Sequence, residues 1–222
     1  MKWKTLSALV VAALTGTGLA GIASAATPPT SDGLVAVASG SLDEFYLRQD
    51  VSLSAYHRVI IDRGQAAMRS GWLKYMNGTR DLSRWLVPED AERITDDVAS
   101  SLDSVVAEAF KAQGYEIVAA PGAGVLRLSP SVTDLFVYAP DSHSPGIDRA
   151  FVKDTGDATL RLDVRDAVTG ALLGRIVDRR TSHEIRRINN ATNVSNLFWF
   201  DALYREFATN CARELVAARG PH

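Results

Sequence analysis

The stretch "LRLDVRDAVTGALLGRIVDRR" (160–180) constrains the fold more than any other part of the chain. Leu160, Leu162 and Val164 alternate with Arg161, Asp163 and Arg165, a period of two that sends apolar side chains to one face of a strand and charges to the other. Asp166-Ala-Val-Thr-Gly170 has Asp at its start and Gly at its end, the chemistry of a hairpin loop with one residue at positive φ. Leu172 to Val177 then returns as the second strand. A one-residue slip of register would bury all three charges, so the register is strongly specified. The Asp and Arg residues read as the solvated face of a hairpin, paired across strands, rather than as a catalytic set. Leu160, Leu162 and Val164 should face a helical layer, with Arg161, Asp163 and Arg165 in water. On that reading Asp163→Asn and Arg165→Gln change stability by no more than about 0.5 kcal/mol. Gly170→Val costs on the order of 1 kcal/mol or more.

Two amphipathic segments supply that layer. Pro88 opens a helix from the favoured first position, Glu89, Asp90 and Glu92 sit at its positive end, and Gly114 stops it. Ile94, Val98, Leu102, Val105, Val106, Ala109 and Phe110 fall on one face. A last helix, capped by Asn193 or Ser195, carries Phe200, Leu203, Tyr204, Phe207, Cys211 and Leu215 as its stripe. Further strands are expected at 55–62, 115–120 and 125–138, the last interrupted near Pro130 in the manner of an edge or bulge, with a turn at 121–124. Residues 63–87 read as a long excursion packed through Trp72, Tyr75, Trp85 and Leu86, and 139–156 as an exposed loop. The fold class is α+β: a single mixed, mostly antiparallel sheet with the 89–113 and 196–218 helices packed on one face.

The N-terminus has the form of an export signal. Lys2 and Lys4 precede the small and apolar run "LSALVVAALTGTGLAGIA", and Ala23-Ser24-Ala25 is an A-x-A cleavage site. The strongly apolar part, Leu9 to Leu14, is too short to span a bilayer, so no transmembrane segment is expected after cleavage. The organisation expected is a signal peptide over 1–25, a flexible tether over 26–45 and a single domain over 46–222, located in the periplasm or secreted. Cys211 is the only cysteine, so no intramolecular disulfide forms and a hydrophobic core must hold the fold. The sequons at Asn77, Asn190 and Asn193 read as chance in a chain with a bacterial-type leader. A formal net charge of -2 gives no footprint for nucleic acid.

Candidate chemistry is sparse. His57, His143, His183 and His222 have no metal-site spacing to one another, and "HEIRR" at His183 lacks the second His of a zinc helix. His143, beside Asp141, Ser142 and Asp148, reads as part of a polar loop, and "GAG" at 122–124 as a hairpin turn. No catalytic, cofactor-binding or metal-binding residue is assigned, and no cofactor.

The strand ending "VIID" (Val59 to Asp62), a long helix, "PGAGVLRLSPSVTD" (Pro121 to Asp134), D-x-x-TG (Asp166 to Gly170) and "VDRR" (Val177 to Arg180) together resemble the DUF3313 family of bacterial envelope proteins, over about residues 40–218. The resemblance implies an envelope protein of the lipoprotein kind and brings no catalytic residues with it. Where such proteins end the leader in a lipobox, Leu19-Ala20-Gly21-Ile22 stands here, with no thiol to acylate, so no lipid anchor is expected. The favoured role is non-enzymatic, binding or assembly with an envelope protein partner. The alternative is a small periplasmic hydrolase or ligand-binding protein using the 139–156 loop.

Overall fold

The computed structural model describes residues 30, 32–137, 156–181 and 196–220, with the side chains of 196–200 excepted. The signal peptide expected over 1–25 lies outside them.

The hairpin sits at the centre of the sheet. Strand β7 (Asp157–Asp166) pairs antiparallel with β8 (Leu172–Arg180) on one side and with β6 (Val125–Phe136) on the other. Beyond β8 come β2 (Glu44–Leu47) and the two-residue β1 (Val35–Ala36), both antiparallel. Beyond β6 the sheet turns parallel. β3 (Arg58–Ile61) and β4 (Gln65–Met68) lie one after the other along β6, and β5 (Glu116–Ile117) closes that edge. The order is β1-β2-β8-β7-β6-β3-β5, with β4 also on β6. The expected α+β fold with one mixed sheet is what the chain adopts.

The alternation read from the sequence sets the core. Leu160, Leu162 and Val164 are fully buried, together with Leu126, Leu128 and Val132 of β6 and Ile176 of β8. Pro130 falls between the part of β6 that pairs with β3, ending at Leu128, and the part that pairs with β4, starting at Ser131. An interior strand thus tolerates it because its missing N–H sits where the parallel neighbour changes. A bulge follows at Thr133–Phe136, where Asp134 takes φ 50 and shifts the alternation so that Leu135 is buried.

The helical layer comes from α2 (Pro88–Ala112) and α3 (Asn196–Arg219). On α2, Val98, Leu102, Val105, Val106, Ala109 and Phe110 are buried, and Ile94 packs at the margin. On α3, Leu203, Tyr204, Phe207, Ala208, Cys211, Ala212 and Leu215 join the same core cluster. Each helix presents one stripe, so each covers the same apolar sheet face. Arg205 and Glu108 pair across them at 3.2 Å, and Ser101 donates to Asp201. The α2 layer reaches down to the β3–β4 crossover, where the Asp103 carboxylate accepts from the Gly64 N–H. A Cβ at Gly64 would stand 2.8 Å from that carboxylate oxygen and 3.0 Å from the Ala99 carbonyl.

Three sequence expectations change. The stretch read as tether contains β1 and the start of β2, because Leu34, Leu42 and Phe45 are buried anchors that bind it to the sheet. The strand at 115–120 shrinks to Glu116–Ile117, both exposed, since it pairs along one side with the first two residues of β3. The 63–87 excursion is structured: β4, then α1 (Trp72–Gly78) and a 3₁₀ turn at Leu82–Arg84. Trp72 and Leu86 are buried as anchors, whereas Tyr75 and Trp85 are about half exposed. The Asn77 side chain fixes the segment, accepting from the Leu86 N–H at 2.8 Å and donating to the Leu86 carbonyl at 2.9 Å.

Candidate functional site

Helices cover one face of the sheet, and the other carries most of its charge. Strand period and register fix which side chains meet there. Arg127, Ser129, Ser131 and Thr133 of β6 stand opposite Arg165, Asp163, Arg161 and Thr159 of β7. Asp163 in turn faces Arg175 of β8, and Arg175 faces Tyr46 of β2. These positions alternate with the buried set, so they share the outer face.

Asp163 is the hub of this face. Its carboxylate accepts from Arg161 Nε at 2.9 Å and Nη2 at 2.8 Å, and from Arg175 Nε at 2.9 Å. Arg165 Nη2 stands further off, at 3.6 Å. Arg175 also reaches Asp32 at 2.5 Å, and Arg179 pairs with Glu44 at 2.6 Å. Burial works to raise the Asp163 pKa, and the guanidiniums of Arg161 and Arg175 more than reverse it, holding the carboxyl below its ordinary range. The expectation that Asp163 faces water is therefore corrected: it is 9% exposed. The three long arginine side chains lie over it and exclude solvent, their aliphatic stems covering what their charges pair with. The cross-strand pairing itself, Asp163 with Arg175, is as the alternation implied.

The hairpin loop is locked from its first residue. Asp166 accepts from the Val168 and Thr169 N–H groups and the Thr169 hydroxyl through one oxygen, and from the Tyr56 hydroxyl at 2.8 Å through the other. The Thr169 N–H leads in lowering the Asp166 pKa, while burial and then Asp166 push Tyr56 up to about 12. Gly170 takes φ 72, as the D-x-x-TG pattern requires.

A second charged group lies on the helical side, and sequence reasoning missed it. Asp178 pairs in register with Leu160, and Arg180 with Ala158, both of the buried set. Asp178 is 2% exposed and receives Arg180 Nε at 2.9 Å, with Nη2 at 2.7 Å. Arg180 also stands 3.8 Å from Glu206 of α3. Burial raises the Asp178 pKa despite Arg180. The buried thiol of Cys211 lies near enough to feel this carboxylate, and burial first, then Asp178, push its pKa well up. The signal was present: continuing the alternation from Ile176 through "VDRR" sends Asp178 and Arg180 inward.

The other sequence candidates are not brought together. His57 lies just before β3, while His143, His183 and His222 fall outside the described residues. So does the loop 139–156, apart from Gly156. "GAG" at 122–124 leads into β6 as a turn. A cavity of about 530 Å³ runs along α3, with Asp201, Arg205, Glu206, Thr209 and Arg213 among its lining. Among the described residues, no three His, Cys, Asp or Glu side chains are grouped to hold a metal ion, and no helix is long and apolar enough to cross a membrane.

Among the described residues, sheet and helical layer define a two-layer α+β arrangement in which α2 and α3 cover one sheet face and the charged side chains lie on the other. The chain belongs to the DUF3313 family, described as proteins of unknown function, whose pattern matches residues 30–211. No curated protein matches the sequence. Among solved structures it is similar to the PelC dodecamer from Paraburkholderia phytofirmans, at 13% identity and TM-score 0.40, covering 72% of this chain and 92% of that one. It is also similar to a neuraminyllactose-binding hemagglutinin homolog from Helicobacter pylori, at 12% identity and TM-score 0.35, covering 73% of this chain and 84% of that one.

Proposed function

We propose that this chain is an exported bacterial envelope protein with a non-enzymatic binding or assembly role, and that the charged outer sheet face engages its partner. The observation that carries the reading is the asymmetry of the sheet. One face is closed by α2 and α3, and the other holds Arg161, Asp163, Arg165, Arg175 and Arg179 on paired central strands. Such side chains are fixed by their neighbours before a partner arrives, so little ordering remains to be done on binding. Arginine suits this task because its planar fork can keep one carboxylate and still offer donors outward. Export rests on the leader, Lys2 to Ala25.

Two experiments test the reading. The mature chain recovered from periplasmic extract should begin at Ala26 and carry no acyl mass; a chain that keeps residues 1–25 in the cytoplasm removes the export half. Reversal of charge in Arg161→Glu with Arg179→Glu should abolish co-purification with the envelope partner, while Arg93→Glu on α2 leaves it intact. Equal recovery from both variants removes the binding half.

A further inference from the structure

We propose that Arg127 and Arg165 form a binding point for a phosphate group on the charged outer sheet face. The inference rests on reading that face as a binding surface and names the chemistry it takes. The two residues are directly opposite in the β6–β7 register. Like charges so placed repel across about 5 Å unless a counter-ion joins them. Among the described residues their counter-ions stand beyond hydrogen-bond length. Asp62 stands 3.8 Å from Arg127 and spends its other oxygen on the Ser129 hydroxyl at 2.7 Å. Asp163 stands 3.6 Å from Arg165 and spends its oxygens on Arg161 and Arg175 at 2.8–2.9 Å.

The rest of the face does not share this looseness. Arg161, Arg175 and Arg179 reach carboxylates at 2.5–2.8 Å. Arg127 Nε, by contrast, is buried with no hydrogen-bond partner among the described residues, a donor that costs free energy until something accepts from it. Arg165 gives Nη1 to the neutral Gly170 carbonyl at 3.2 Å. Arg58, two residues before the Ile60 that pairs with Arg127, adds a third guanidinium at this end of the sheet, bonded to the Ala123 carbonyl. Both central side chains are open to a ligand, at 42% and 37% exposure.

A phosphate fits this arrangement better than a single carboxylate. It brings about two negative charges to two guanidiniums, and its tetrahedral oxygens can accept from both strands at once. The strands hold the two arginines in fixed register, so the site is set before the ligand arrives.

The test uses the full mature chain at pH 7. Calorimetric titration with sodium phosphate, against sodium chloride at matched ionic strength, should show saturable binding to phosphate alone. Arg127→Gln and Arg165→Gln should each weaken it at least about ten-fold, and Arg93→Gln should leave it unchanged. Melting of every variant in chloride checks that each is folded. Sedimentation with vesicles of phosphatidic acid in phosphatidylcholine distinguishes the sources. Binding lost in the two arginine variants makes the ligand a lipid headgroup; titration by free phosphate without vesicle binding makes it a soluble phosphate. A wild-type chain that does not discriminate phosphate from chloride, or variants that bind as wild type does, would overturn the proposal. If phosphate binds while charge reversal on Arg161 and Arg179 spares the partner, the functional reading fails and this one stands. The opposite pair of results sinks this one alone.

Discussion

Replacement of Asp163 by Asn tests the physical account of the outer face. The substitution keeps size and shape and removes one charge. In the folded protein that charge accepts three hydrogen bonds from two guanidiniums, with a third guanidinium nearby. Charge-assisted bonds contribute about 1.5–3 kcal/mol each in net terms, and removing one partner of a buried pair costs about 3–5 kcal/mol. Arg161 and Arg165 are 40% and 37% exposed, so water recovers part of that loss. The expected cost is about 2–3 kcal/mol, well above the 0.5 kcal/mol suited to a surface residue. For a domain of this size that lowers Tm by about 5–10 °C. The pH dependence has a definite sign. The folded pKa lies below the ordinary carboxylate value, so the stabilisation is complete above about pH 4 and fades as pH falls through the folded pKa. Thermal melts of wild type and Asp163→Asn from pH 7 to pH 3 provide the assay. A variant within about 1 °C of wild type at pH 7 would refute the reasoning.

Gly170→Val should destabilise by about 1–2 kcal/mol in urea melts, because φ 72 is strained for a β-branched residue even though a Cβ there meets no atom within 4 Å. Asp178 should act opposite to Asp163: burial raises its folded pKa, so its contribution is greatest below about pH 4 and declines as pH rises through the folded value. Asp178→Asn should flatten that decline in urea midpoints measured from pH 4 to pH 7, and an unchanged slope would count against it. Cys211 is fully buried with its thiol pKa pushed up, so a maleimide should label it only after denaturant is added; rapid labelling of the native chain would place it elsewhere.

The sequence made the hairpin, both long helices and their apolar faces legible, because each depends on a local period that a single chain displays. Leu160, Leu162 and Val164 followed from alternation alone, and Gly170 from turn chemistry. Pro130 looked like an edge or bulge residue because nothing local reveals that β3 and β4 share one side of β6 and change over beside it. The inward turn of Asp178 and Arg180 was readable by extending the alternation past Val177, but charged residues ordinarily end a buried strand. The burial of Asp163 was not readable: it needs Arg175, from β8, to lie over it together with Arg161 and Arg165 of its own strand. The Arg127–Arg165 site was hidden for the same reason, since it exists only once β6 and β7 are in register.

The central claim is that the charged outer sheet face, rather than the helical layer, is where a partner is met. A photo-crosslinking residue placed in turn at Ser131 and Thr133 on β6, and at Asp97 and Ser104 on α2, tests it in intact cells. A discrete adduct from the two β6 positions, lost with Arg161→Glu and Arg165→Glu and kept with Arg93→Glu, is the predicted result. An adduct from Asp97 and Ser104 alone would contradict it.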